Sequence, residues 1–262
     1  MSIALAPAGH TPAEIPRVLH QIYFGGIDAA SPAYRDYAQT WRVHHPHWQH
    51  QFWDAARCRN LVEEHYGWFL PVYDAYRHRI QRVDAVRYFI LHHHGGVYAD
   101  MDIESRRPID ELLAGRELLL SGLSMGVTNA VMGSTPGHPL WPRVFAAMQR
   151  RRNRFALSSP LSSKLAMPMY VGYSTGPLML SDCVAEGGYY GDPRVGICPT
   201  HYFEPLAPGG NGALREGAAA DLSGSYAIHH MSMHWMPRSQ KVLGWILDAW
   251  AKTFVRKQQG GG

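Results

Sequence analysis

Residues 79–102 read RIQRVDAVRYFILHHHGGVYADMD, and the pattern changes period at one point. Ile80, Val83, Val86, Ile90 and Leu91 recur at helical spacing, Gly95-Gly96 supplies a C-terminal stop, and Val97-Tyr98-Ala99-Asp100 then reads as a short strand. Asp84 and Arg87 stand three apart, on one face of the predicted helix. Asp100 and Asp102 flank a single residue at the end of the strand. Residues two apart on extended backbone face the same side, so both carboxylates can approach one divalent cation. Taken separately, the first pair reads as a surface ion pair of small value and the second as a solvated strand end. Helix, glycine pair and strand together bring all four to one spot.

Outward from this stretch, residues 17–24 form a compact strand pattern closed by Gly25-Gly26. A second strand is expected at 49–53, in a segment framed by Trp41, Trp48 and Trp53, with helices over 55–66 and 68–78. Downstream, apolar segments at 117–123 and 128–133 precede a helix at 139–152 that ends in Arg150-Arg151-Arg152. Late strands follow at 195–198 and 226–229, and a helix at 240–256. Strands alternating with helices predict one α/β domain over 15–257, after a tail at 1–14 and before a disordered end at 258–262. The region 157–225 reads as loops and insertions, with a mobile loop at 209–212.

A chain of 262 residues with 46% hydrophobic and 18% charged content can bury a sizeable core, which excludes disorder as its main state. Its 25 basic and 21 acidic residues leave +4, too little for obligatory nucleic-acid binding and compatible with an anionic substrate. Cys58, Cys183 and Cys198 are odd in number and far apart, so reduced thiols are expected rather than a disulfide framework or a zinc site. His92-His93-His94 would point in three directions on a helix and make a poor chelate. No apolar run reaches the ~20 residues that span a bilayer, and the first residues lack signal-peptide character, which predicts a cytoplasmic protein. The segment 242–257 carries Trp245, Trp250 and Phe254 with Lys241, Lys252, Arg256 and Lys257 in and beside it. It either packs on the core or rests peripherally on the anionic inner face of a membrane.

The chain resembles the family 32 glycosyltransferases, the sugar transferases that contain an Asp-x-Asp motif on a glycosyltransferase-A fold. The likeness is carried by IPRVLHQIYFGG at 15–26, VDAVRYFILHHHGGVYADMDIESRRPID at 83–110, NAVMGSTPGHPLW at 129–141, STGPLML at 174–180 and YAIHHMSMHW at 226–235. It implies a mixed, mainly parallel sheet flanked by helices. It also implies a metal-dependent, retaining transfer of a hexose from a UDP- or GDP-linked donor to a glycan or glycolipid acceptor. A more distant likeness to the glucosyltransferase domains of large clostridial toxins implies roles. Asp84 and Arg87 match donor-sugar binders, Tyr98 an aromatic beside the sugar or diphosphate, and Asp100 a ribose and sugar contact through the metal site. Asp102 matches a direct ligand of Mn²⁺ or Mg²⁺, and Ile22 and Tyr23 match the pair that holds the base. Asn129 is assigned to the nucleotide sugar and Thr175 and Gly176 to the acceptor side, or all three shape turns. Trp235 covers the diphosphate or is a core residue.

Of the pair His229-His230, strand alternation admits one to the site. The expectation is that His230 completes the metal set and His229 is structural. Met231 and His234 depart from the family's usual ending. Two other readings compete. VYADMDIES superficially matches a haloacid-dehalogenase-type phosphatase, but Glu104 stands where Thr or Val is needed and Gly191-Asp192-Pro193 lacks a second acid. The other is a non-catalytic nucleotide-sugar-binding module, against which the full Asp84, Arg87, Asp100, Asp102 set speaks.

Overall fold

The computed structural model describes residues 14–152, 167–207 and 222–231. The expected glycine joint is present between helix α4 (Arg79–His94) and strand β3 (Gly96–Ala99). Gly95 has φ +64° and Gly96 φ +88°, a region that L side chains rarely adopt. A Cβ on Gly95 would stand 2.6 Å from Pro136, and one on Gly96 2.6 Å from the Val18 carbonyl oxygen. Buried His20 braces this joint. Its Nε2 lies 3.0 Å from the Gly95 carbonyl, and Trp53 Nε1 donates to its Nδ1 at 3.1 Å. Burial lowers its pKa to about 3, so the ring stays neutral. Gly96→Ala is expected to cost roughly 2–3 kcal/mol in urea unfolding, from the strained φ and the clash together. A loss under about 0.5 kcal/mol, the range of neutral surface changes, would show that the joint tolerates a side chain.

Strand β3 lies inside a six-stranded sheet of order β2-β1-β3-β6-β5-β7. Its other members are β1 (Val18–Ile22), β2 (Gln49–Trp53), β5 (Leu118–Gly122), β6 (Val127–Ser134) and β7 (Val195–Cys198). β1 runs parallel to β2 and β3, β7 parallel to β5, and β6 antiparallel to both neighbours. Strand alternation divides the core. Tyr98, Leu118 and Leu120 face a cluster with Phe89 and Trp141, while Val97, Ala99 and Leu119 face one with Trp41, Ile103 and Phe203. The first cluster is built on α4, on α2 (Ala55–His65), on a short α3 (Leu70–Asp74) and on α6 (Leu140–Arg151), and α5 is the single turn Asp110–Leu113. Residues 84–91 of α4 are all buried, which marks a central helix rather than a surface one. The three histidines at its end meet different neighbours: His92 bonds Tyr66, His93 packs on His65 and His94 on Trp53.

The second cluster lies under helix α1 (Pro32–His44), which also clamps a two-stranded antiparallel sheet of β4 (Ile103–Ser105) and β8 (Ala227–His229). Trp41 Nε1 donates to the Ile103 carbonyl at 2.9 Å, and the Ser105 amide donates to Thr40 Oγ1 at 2.9 Å.

Part of the region expected to be irregular is ordered. Helices α7 (Met167–Ser174) and α8 (Pro177–Glu186) lie there, followed by the turn α9 (Thr200–Phe203). Apolar residues in sequence runs and two prolines hide the helical period, although Pro177 in the first turn of α8 is well placed. Helix 68–78 contracts to Leu70–Asp74 because the chain turns after Asp74. The expected loop at 209–212, the helix at 240–256, Trp235 and both termini lie outside the described residues. Cys58, Cys183 and Cys198 are buried and unpaired. No helix among the described residues is long and apolar enough to cross a membrane.

Candidate active site

The two aspartates of the Asp-x-Asp come together through a turn, not along a strand as expected. β3 ends at Ala99, the Ile103 amide donates to the Asp100 carbonyl at 3.2 Å, and Met101 packs inward with Ala30 and Ala38. β8 then pairs with β4, with His229 opposite Ile103, and the His230 amide donates to the Asp102 carbonyl at 3.0 Å. The result is a cluster in which one ligand atom each from Asp100, Asp102 and His229 lies within 4.8 Å of the others, all partly buried. His229 Nε2 is 3.4 Å from Asp102 Oδ1.

The ligand expectation therefore moves from His230 to His229. His230 Nε2 lies 2.9 Å from Glu104 Oε2, and its ring stacks on Tyr37 with centroids 4.3 Å apart. Alternation admits one histidine, and the register of β8 on β4 selects which. Behind His229 stands a residue that the sequence reading missed. Glu204, 1% exposed, places its two carboxylate oxygens 2.9 and 2.8 Å from His229 Nδ1. Burial opposes a charge on His229, but Glu204 and Asp102 outweigh it and raise its pKa well above the ordinary imidazole value.

Asp84 and Arg87 are a buried pair, not a surface one, with side chains 7% and 2% exposed. Arg87 Nη2 donates to Asp84 Oδ1 at 2.9 Å, and Nη1 to the Asn129 carbonyl at 2.7 Å and to Asp100 at 3.2 Å. With Nε directed at the Val83 carbonyl, four of its five N–H groups face protein oxygens. Arg87 thus links the Asp84 and Asp100 carboxylates. Its guanidinium lies 4.7 Å over the ring of Tyr98, whose hydroxyl donates to Asp100 Oδ1. Asp84 also accepts from Asn129 Nδ2 at 3.1 Å and Thr175 Oγ1 at 3.1 Å. Burial, only partly countered by Arg87, raises its pKa to about 6.

Several expected contacts are relocated by this packing. Thr175 is fully buried behind Asp84, and Gly176 is buried where a Cβ would approach Gly172 Cα at 2.9 Å, so neither presents a side chain to an acceptor. Asn129 supports Asp84 and also donates to the Tyr88 hydroxyl. Tyr98 is fully buried, and it reaches the site only through its hydroxyl. Ile22 turns into the α4 side of the core. Tyr23 lines a cavity of about 240 Å³ with Gly26, Phe52, Asp54 and Arg57. A larger cavity, about 420 Å³, opens beside β5 and β7, but among the described residues no cluster of ligating side chains forms there.

Two carboxylate oxygens and an imidazole nitrogen suit a divalent cation, and the buried arginine and carboxylate beside them suit polar sugar hydroxyls. Fold and site together define an α/β domain of the glycosyltransferase-A type with a candidate divalent-cation cluster beside a buried Asp–Arg pair. Residues 31–119 match the family model described as the glycosyltransferase sugar-binding region containing DXD motif. Inositol phosphoceramide mannosyltransferase 1 of Schizosaccharomyces pombe is 33% identical over 165 residues, 61% of this chain and 51% of that protein. Mannosyl phosphorylinositol ceramide synthase SUR1 of Saccharomyces cerevisiae is 33% identical over 170 residues, 65% of this chain and 42% of that protein. The chain thus spans about half or less of the curated relatives it matches. Among solved structures, the UDP-bound glycosyltransferase domain from the YGT toxin superposes with a TM-score of 0.52 at 8% identity, covering 71% of this chain and 80% of that one. That likeness concerns the fold alone.

Proposed function

We propose that this domain is a retaining hexosyltransferase of the family 32 type that moves a sugar from a UDP- or GDP-linked donor to a glycan or glycolipid acceptor. The reading rests on one observation: the Asp100, Asp102, His229 cluster lies directly against the buried Asp84–Arg87 pair. The names of the two yeast relatives favour mannose as the sugar and an inositol phosphoceramide-like lipid as the acceptor class. Asp100, Asp102 and His229 would hold Mn²⁺ or Mg²⁺, and such an ion neutralises charge on the departing nucleoside diphosphate.

The remaining work falls to the chain's own side chains. Of the roughly four acceptor positions on the Asp84 carboxylate, three are taken by Arg87, Asn129 and Thr175, so one remains to receive a sugar hydroxyl. Those three partners also prevent the carboxylate from rotating, which fixes the sugar's orientation before reaction. Arg87 keeps Asp84 and Asp100 at a constant separation and so sets the distance from sugar to diphosphate. Tyr23 and its cavity receive the base. Retention follows from attack on the face that the diphosphate leaves.

The test is a panel of UDP- and GDP-hexoses incubated with the protein, with and without Mn²⁺, followed by proton NMR of the product anomer. Mn²⁺-dependent release of nucleoside diphosphate from one donor is expected, with an α-product from an α-donor. Binding of donors without turnover of any would identify a binding module instead, and a β-product would exclude retention.

A further inference from the structure

We propose that Glu204 is a positioning residue for the metal centre: its buried carboxylate holds the Nδ1–H edge of His229 so that Nε2 faces the space between Asp100 and Asp102. The inference rests on the reading that those three residues bind a divalent ion. Glu204 lies 25 residues before His229 in sequence, and the backbone fixes its place. Its amide donates to the Thr200 carbonyl at 2.8 Å at the end of α9, and its own carbonyl accepts from the Ala207 amide at 3.0 Å. The Tyr226 amide donates to the Tyr202 carbonyl at 2.8 Å, which ties α9 to the entry of β8. The Glu204 side chain is 2% exposed, and both of its oxygens approach the same imidazole nitrogen.

That placement carries a desolvation cost, which the pairing with His229 offsets. A carboxylate withdrawn from water destabilises a fold unless paired, and an apolar residue or an amide would fill the same space. Here the cost is incurred next to Asp102, so two carboxylates flank one imidazole, on Nδ1 and Nε2 respectively. An imidazole that ligates a metal through one nitrogen commonly donates its other N–H to a carboxylate, which fixes the tautomer and raises the basicity of the ligating nitrogen. Glu204 meets that requirement without occupying a coordination position. The competing role is a pin that holds β8 to α9, which would affect folding but not the ion.

The two roles separate in Mn²⁺ binding to the full chain without donor, followed by electron paramagnetic resonance, with thermal unfolding recorded for each variant. Glu204→Gln keeps a hydrogen-bond acceptor and loses the charge, and its Mn²⁺ affinity is expected to fall about tenfold. Glu204→Met removes both and should lose about 100-fold, with weakened nitrogen modulation of the Mn²⁺ signal. His229→Ala is expected to abolish that modulation. If both Glu204 variants bind Mn²⁺ within about twofold of the parent while His229→Ala does not, Glu204 is a structural pin and the proposal fails alone. If His229→Ala also binds normally, the metal assignment fails and this proposal with it. Should Glu204→Met not fold, the near-isosteric Glu204→Gln decides.

Discussion

Asp102→Asn is expected to lower sugar transfer by about 10³-fold or more, on the order of 4 kcal/mol of transition-state stabilisation, with little change in melting temperature. The amide keeps the shape of the side chain but removes the anionic charge that a hard divalent cation requires. The local backbone does not depend on that charge. The Asp102 carbonyl still accepts from the His230 amide, and the turn is still closed by the Ile103 amide on the Asp100 carbonyl. Asp100→Asn should be as inactive but less stable, because Asp100 also pairs with Arg87 and accepts from the Tyr98 hydroxyl. Donor hydrolysis across a Mn²⁺ titration, with circular dichroism melts, measures both. Near-normal turnover of Asp102→Asn at saturating Mn²⁺ would remove Asp102 from the metal set.

The joint that decides the fold was legible because its signals are local. The helical period ends at a glycine pair whose positive φ and tight surroundings exclude side chains, and a strand of apolar residues follows at once. The convergence of Asp84, Arg87, Asp100 and Asp102 was legible for the same reason, since one helix, one joint and one turn carry them all. What was not legible is set at long range. Whether His229 or His230 enters the site depends on the register between β4 and β8, strands more than 120 residues apart in the chain, and neither sequence encodes that register alone. Glu204 follows a single helical turn in a stretch without periodic signal, and the partner that its buried carboxylate meets, His229, lies 25 residues further along the chain. Its one local hint is an acidic residue between Phe203 and Pro205. Thr175 reads as a turn residue until the α7–α8 junction packs on α4 and turns its hydroxyl to Asp84.

Arg87→Met is expected to destabilise the protein by about 3–5 kcal/mol, a fall of roughly 10 °C in melting temperature for a domain of this size. Methionine fills much of the space, so the loss comes from charge: Asp84 is left without its closest cation, and Asp100 without the one that links them. The penalty should depend on pH in a definite direction. Asp84 already has its pKa raised from 3.8 to about 6 with Arg87 present, and without the guanidinium, burial acts unopposed and raises it further. A native carboxyl that titrates above its unfolded value holds a proton that the unfolded chain has lost, so stability falls as pH rises through the native pKa. Urea unfolding should therefore show a smaller deficit for Arg87→Met at pH 5 than at pH 8. Arg87→Lys separates stability from function. An ammonium restores the charge but cannot span Asp84, Asp100 and the Asn129 carbonyl as a planar fork does. That variant should regain most of the stability and little of the transfer activity, because the spacing of the two carboxylates is no longer fixed. Full activity in Arg87→Lys would show that only the charge is needed there, and an equal deficit for Arg87→Met at both pH values would show that Asp84 does not take up the proton.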